Sequence, residues 1–596
     1  MNKAPLRKPG LRSTAAALLL SALAATAGAC TAPIATTTAS IKLNQLGFLP
    51  ASDKVAVVPA SPAMVFSVVN ATNGTVVWHG VLGTPAHWAP SGEMVSLADF
   101  SGLTAPGDYQ IKVDGLAAST RFTIGTDVYR AVSAAALKGF YFNRAGTALL
   151  AQHAGAYARA AGHPDTQVLV HRSAASAARP EGTVIASPKG WYDAGDYNKY
   201  MVNSGIATYT LLAAYEHFPA YFQAQQVNIP ESGNGIPDIL NEALWNLEWM
   251  LSMQDPNDGG VYHKLTNKTF DPMVMPDQAT SARYVVQKTT AATLDFAAVM
   301  ASASRVLRPY QDKLPGLSAR MLAAAKMAWA WAQAHPDEVY RQPADIVTGE
   351  YGDATLDDEF MWAAAELYIS TADDSFYLAM KPGGVSATVP AWDDVGSLAW
   401  ISLAHHRYHL SPIADRALIA NRIMTLGDAL LAARKNSAYA VAMRQADFVW
   451  GSNAVALNQA IMLLQAYRLG GQRAYLDAAQ SAFDYVLGRN ATGYSFVTGY
   501  GSPSPQHPHH RPSQADHVTA PVPGFLVGGP QPGQQDKQEC AQAYPSNLAA
   551  RSYLDQVCSY ASNEIAINWN APLVYVAAAL ASWPQVSADP GGSLAR

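Results

Sequence analysis

Three carboxylates stand out by their surroundings. Glu564 lies in S-N-E-I-A-I-N-W-N-A-P, among Ile565, Ala566, Ile567 and Trp569. An acid in apolar surroundings resists ionisation, so its pKa rises. A carboxyl group that keeps its proton near neutral pH can serve as a general acid. A surface glutamate just ahead of a helix would read the same from this stretch alone. A second group stands far upstream in G-W-Y-D-A-G-D-Y-N-K-Y, residues 190–200. There Asp193 and Asp196 are bracketed by Trp191, Tyr192, Tyr197 and Tyr200, with Gly195 between them. Glycine tolerates positive φ, so a tight loop through it can aim two carboxylates at one point. The aromatic rings offer flat faces for a sugar. Paired aspartates in a glycine loop also suggest Ca²⁺, but too few oxygen ligands accompany them here.

A third motif is H-P-H-H-R-P, residues 507–512, in a Gly- and Pro-rich loop. Pro508 and Pro512 bias it to extended backbone, where residues two apart share a face. His509 and Arg511 are therefore expected to point together and to bind hydroxyls or a carboxylate. Zinc on His507, His509, His510 and His517 is the competing reading, without a Cys or Glu at a usual ligand spacing. The acidic runs T-L-D-D-E-F (355–360) and A-W-D-D-V (391–395) read as helix entries, where acids favour the amide-rich end. Trp392 reads equally as a sugar-facing ring or as core.

The elements that must position these groups differ along the chain. Of 596 residues, 49% are apolar and 14% charged, which makes a globular chain with a large core. The net charge of −5 and the lack of a long basic run argue against nucleic acid as a partner. Residues 1–30 form a signal segment: Lys3, Arg7, Lys8 and Arg12 precede an Ala/Leu-rich run that ends in A-G-A-C. Cys30 is the expected lipidation site, although Ala27 departs from the usual Leu or Val, so plain cleavage stays open. Export to the periplasm, the outer membrane or the medium is expected of such a bacterial chain. No later segment reads as transmembrane. A linker (31–40) leads into short β-branched runs broken by S-P, N-G and P-G turns. This predicts an immunoglobulin-like β-sandwich over 41–126. From 127 to 585 Ala-rich amphipathic segments recur with no strand-rich block between them, so an (α/α)6 toroid is expected rather than a TIM barrel. In P-D-I-L-N-E-A-L-W (237–245), Pro237 is expected in the first turn of one helix. Residues 586–596 read as a tail. Cys540 and Cys558 can pair in an oxidising compartment and brace the loop before Glu564; two free thiols is the other reading.

Taken together the motifs resemble glycoside hydrolase family 9, an inverting family that includes many cellulases, in its bacterial form with an N-terminal Ig-like module. The spacing Y-x-D-x4-Y-x3-E-x-A-x3-N-A is met in full from Tyr553 to Ala571. The resemblance implies Asp196 as base, Asp193 as its partner in holding the water and Glu564 as acid, with His509, Arg511 and Trp569 contacting sugar. It implies a glucan partner, a monomer and no required cofactor, with structural calcium possible. Pro503 stands where a basic residue or Asn is usual. The structural zinc site of many relatives is expected to be lost, because Ala145 and Gly162 replace cysteines and leave His163 alone. Exo-acting enzymes on other β-1,4 glycans such as glucosamine oligosaccharides, a polysaccharide lyase and a non-catalytic glycan-binding lipoprotein are the rival readings.

Overall fold

The computed structural model describes residues 40–582; Cys30, the signal segment and the C-terminal tail lie outside them. The first part is two sheets facing one another. One has the strand order β1(Gly47–Phe48)–β8(Phe122–Ile124)–β7(Gly107–Lys112)–β3(Val65–Asn70)–β4(Val76–Val81). The other is β2(Val55–Pro59)–β6(Glu93–Asp99)–β5(Ala86–Trp88). Alternating residues such as Val68, Tyr109, Ile111 and Phe122 fill the space between them, as period-2 side chains must. The pairing is antiparallel except for β1 and β8, which run parallel. The first strand thus closes the sheet beside the last.

Among the described residues eleven helices of more than ten residues follow: α1(Arg130–Phe142), α2(Met201–His217), α3(Asp238–Ser252), α4(Thr290–Leu307), α5(Leu317–Ala334), α6(Asp357–Thr371), α7(Gly396–His406), α8(Arg416–Lys435), α9(Ser452–Gly470), α10(Arg473–Val486) and α11(Ile567–Ser582). Six of them pack in a closed cycle, α11–α2–α4–α6–α7–α9 and back to α11. Helices inside such a cycle have neighbours on all sides and need apolar or small residues all round. In α4 every residue except Arg305 is buried. Helices packed outside the cycle keep a wet face; α8 buries only Ile419, Ile423, Gly427 and Leu430.

Three local features matter. Pro237 precedes α3 as its N-cap rather than entering the first turn. α11 begins five residues ahead of Pro572, which lies inside it. A small sheet does interrupt the helices, in the order β10(Val184–Ile185)–β9(Val168–Val170)–β13(Tyr284–Val285)–β12(Lys264–Thr266)–β11(Lys199–Tyr200). Strands of two or three residues are too short to leave an alternating pattern. This sheet lies directly behind the Asp193–Asp196 loop, because β11 continues that loop into α2.

The sandwich is fastened to the helices near the functional loops. Lys42 donates to Glu93 (2.8 Å), Tyr439 (3.1 Å) and the Ala491 carbonyl (2.9 Å). Gln45 Oε1 accepts from the Ser502 amide at 2.6 Å, at the start of the loop that leads to His509. Pro503 sits in that bend, where its carbonyl accepts from the Ser495 amide.

Candidate active site

The upstream loop and the C-terminal motif meet through backbone pairing. Ala194 bridges Ala566, His509 bridges Glu564, and the Ile567 amide donates to the Asp193 carbonyl at 2.9 Å. Glu564 Oε1 accepts the Gly195 amide proton at 3.2 Å, so the acid rests on the aspartate loop itself. Gly195 is required for closeness, not for positive φ: a Cβ there would lie 2.1 Å from the His509 carbonyl oxygen.

Asp193 is buried and held at both oxygens, by Asn203 Nδ2 (2.6 Å) and by Tyr351 OH (2.8 Å). Burial, reinforced by the charge of Asp196, pushes its pKa up to about 8. Asp196 Oδ2 accepts from the Asn198 backbone amide (3.3 Å), the Asn198 side chain and Tyr200 OH (3.3 Å). Glu564 is pushed well above the ordinary carboxyl range, first by burial and then by Asp196 and Asp193, with Arg511 opposing. Three acids with too little countercharge thus lie close together. The upward shifts of Asp193 and Glu564 suit groups that must hold and pass protons, as general acid–base chemistry requires.

The other motif positions explain how the acid is carried. Asp555 accepts the amide protons of Gln506 (2.8 Å) and His507 (2.9 Å). Asn563 donates to the His507 carbonyl and accepts from Tyr553 OH. Asn570 ties the Leu526 amide to the Ala136 carbonyl. Cys540 and Cys558 are bonded, and just outside the loop they close Asp536 accepts the Ala561 amide proton.

His509 and Arg511 do not act as one face. Extended backbone ends at His510, and Arg511 opens the short helix Arg511–Ala515. Arg511 is buried and donates from NH1 to the Gly195 carbonyl (2.8 Å) and from Nε to the Asp271 carbonyl (2.8 Å). It holds the aspartate loop. His509 pairs through Nδ1 with the Val557 carbonyl at 2.6 Å, which leaves Nε2 unprotonated in the neutral ring. Burial pushes its pKa down. Trp569 is largely buried, its ring filling the space over Gly451 and Gly528. Beside it stands an aromatic pair absent from the sequence reading: Trp450, 43% exposed, lies 5.6 Å from Tyr560. No local pattern marks an exposed tryptophan; only the fold brings it to Tyr560.

The zinc reading of the histidine loop finds no shared centre. His510 pairs with Ser513, while His507 and His517 line a surface pocket with Gln506 and Gln514. His163 packs against Tyr192 and Tyr197, with Nδ1 at 2.9 Å from Tyr192 OH. A Cβ on Gly162 would meet the Pro276 carbonyl carbon at 2.3 Å. These residues do not fit a zinc ion. Glu216, His405 and His406 have ligand atoms within 4.8 Å of one another. Yet Arg305 already occupies Glu216 and Arg468 donates to His405, so two cations stand where a metal would have to enter.

Two family models match the chain: the glycosyl hydrolase family 9 model over residues 129–577, and the cellulase N-terminal ig-like domain over residues 36–118. The chain belongs to glycosyl hydrolase family 9. It is 45% identical to a xyloglucan-specific endo-beta-1,4-glucanase of Bacteroides ovatus, over 91% of this chain and 93% of that one. It is 32% identical to endoglucanase D of Acetivibrio thermocellus, over 91% and 83%. A solved family 9 structure from Bacteroides ovatus superposes with a TM-score of 0.85 at 43% identity, covering 91% of this chain and 98% of that one. This family 9 chain is therefore a glycoside hydrolase with an Ig-like N-terminal domain and a helix-rich catalytic domain.

The family 9 chain also carries an acidic cluster at the entry of α6. Both oxygens of the buried Asp295 lack a hydrogen-bond partner, as do one oxygen each of Asp353, Asp358 and Glu359. Burial and mutual repulsion raise the pKa values of Asp295 and Glu359. Asp358 does hold a helix entry, accepting the Val395 amide proton ahead of α7 at 2.7 Å.

Proposed function

We propose that this enzyme hydrolyses internal β-1,4-glucosidic bonds of a soluble β-glucan with inversion of the anomeric carbon. Glu564 protonates the leaving oxygen. Asp196 takes a proton from the attacking water, and Asp193 shares and orients that water. The observation that carries this reading is the Glu564 carboxyl on the Gly195 amide, kept protonated while facing two aspartates across the same loop. Inversion calls for carboxyl groups roughly 6.5–9.5 Å apart to admit the water. The names of the relatives in hand favour an internal cut and a decorated glucan among the soluble candidates. The closed helix cycle supports an (α/α)6 toroid as the catalytic architecture. His509, through its unprotonated Nε2, and the exposed Trp450 ring are the sugar contacts of this reading, while Arg511 and Trp569 support the loops.

The test is product analysis on xyloglucan, mixed-linkage glucan, cello-oligosaccharides and chitosan oligomers, followed by proton NMR of fresh reducing ends. α-Configured ends from a β-linked chain support the mechanism; β-configured ends overturn it.

The same reading assigns export with lipid attachment at Cys30, which radiolabelled palmitate on wild type and not on C30A would test. It also includes a structural calcium. Removing calcium with EDTA is then expected to lower the melting temperature, and calcium but not magnesium to restore it. An EDTA-insensitive melt removes the calcium.

A further inference from the structure

Lys264, in β12, is wholly buried, and all three of its hydrogen-bond partners are neutral. Its Nζ donates to the Gly349 carbonyl (2.5 Å), Gln342 Oε1 (3.1 Å) and Thr348 Oγ1 (3.2 Å). The ammonium sits 5.6 Å from the ring centre of Tyr200 and 5.2 Å from that of Tyr340. Burying an ammonium without a paired carboxylate is costly, and burial pulls this one down to about 7. A methionine would fill the space more cheaply, so the charge calls for an explanation.

The partners of Lys264 lead to both aspartates. The Gly349 amide donates to Tyr200 OH at 3.1 Å, and Tyr200 OH reaches Asp196. Thr348 Oγ1 is 2.7 Å from Thr266 Oγ1, which is 3.1 Å from Asn198 Oδ1; Asn198 in turn holds Asp196. Two residues beyond Gly349, Tyr351 places its hydroxyl on Asp193, from a left-handed backbone at φ 48°. Segment 348–351 therefore touches the supports of both acids, and Lys264 clamps it. The charged and titratable groups facing the ammonium are Glu350 and Tyr340 from that side of the molecule, Asp196 and Tyr200 from the catalytic loop, and His263 next to it in the chain. Asp196 itself lies close enough to Asp193 and Glu564 to oppose their ionisation.

We infer that Lys264 is a positioning residue for the water-activating carboxylates: it clamps segment 348–351 against them and supplies the positive charge behind Asp196 that offsets the acids in front of it. This rests on the assignment of Asp196 as base.

The test uses the full-length enzyme on a soluble β-glucan, with kcat and KM measured from pH 4 to pH 9. Lys264→Met is expected to lower kcat about 10- to 100-fold with KM changed less than about threefold. It is also expected to move the acid limb of the kcat/KM profile upward by about one pH unit, because a carboxylate that loses a nearby cation is harder to ionise. Lys264→Arg keeps the charge and is expected to keep the limb. Thr348→Val leaves the ammonium in place and is expected to lower kcat a few-fold with the limb unmoved. A Lys264→Met enzyme with the wild-type acid limb and kcat overturns the inference. Where that variant does not fold by circular dichroism, a Lys264→Arg limb displaced as far as a unit, or a Thr348→Val enzyme with wild-type kcat, overturns it instead. Asp196→Asn run in parallel separates the two levels. If it retains turnover, the base assignment fails; if it is inactive while Lys264→Met is unaltered, only the role of Lys264 fails.

Discussion

Helix α2 spans ~25 Å at the usual rise per residue, and acids flank it at both ends with opposite electrostatics. Just ahead of its N-terminus stand Asp193 and Asp196, with Glu564 against them. At its C-terminal end Glu216 accepts from Arg305 Nε at 2.9 Å and lies 3.1 Å from His406 Nε2. Arg305 reaches on to Glu366 at 3.0 Å. Both acids are partly buried, and burial disfavours the charged form of each. At Glu216 burial raises the pKa, but Arg305 and His406 together outweigh it and the pKa falls well below the ordinary value. At Glu564 no such partner is in place and the pKa rises. Burial alone therefore does not distinguish a reactive acid from a structural one. What lowers Glu216 is the sum of Arg305 and His406 beside it; the same Arg305 leaves the fully buried Glu366 raised.

The largest expected effect tests the reactive end. Glu564→Gln and Asp196→Asn should each lower kcat by about 10³-fold, within the span that general acids and bases contribute, while binding of a cello-oligosaccharide is retained. Steady-state kinetics with calorimetry would check this, and turnover within tenfold of wild type would erase the contrast. At the paired end, Arg305→Met leaves Glu216 and Glu366 without their cation and should cost about 3–5 kcal/mol of stability. Urea unfolding measures it; kcat per folded molecule should hardly change. Replacing Cys540 and Cys558 together by serine should cost about 3 kcal/mol at most. Because the bond braces only the loop before Glu564, its loss should also reduce kcat in enzyme that is still folded.

The smallest effect is the most diagnostic. Glu216 has a depressed folded pKa, so its contribution is present above the unfolded value near 4.5 and is lost as pH falls through the lower folded value. Glu564 has a raised folded pKa, so the native state holds a proton that the unfolded state has released, and stability falls as pH climbs above about 4.5. Glu216→Gln should therefore lower the melting temperature at pH 7, and Glu564→Gln should raise it. Shifts of the same sign at pH 7 would mean that the two ends do not differ as described.

Much of this was legible in residue order. The β-branched runs with their turns foretold the sandwich, and the long Ala-rich segments foretold the helices. The D-A-G-D and N-E-I-A motifs marked acids that do meet. What escaped had physical causes. The small sheet β9–β13 has strands too short to show a period. His509 and Arg511 were expected to share a face, but a helix begins at Arg511 and turns its fork onto the Gly195 and Asp271 carbonyls. Gly195 was expected to supply positive φ, but it supplies close approach to His509. Trp450 and Lys264 carry no local signature at all.

By itself the sequence determined the sandwich strands and the long helices, because propensity and periodicity are local, and which acids stand in apolar company, because their neighbours are adjacent in the chain. Only the tertiary structure decided which acids share a gap and which receive an arginine. Those are through-space quantities: Glu564 lies 369 positions from the amide it rests on, and Glu216 lies 89 from its cation. Coulomb energy depends on that distance and on burial, and neither is written in the spacing along the chain.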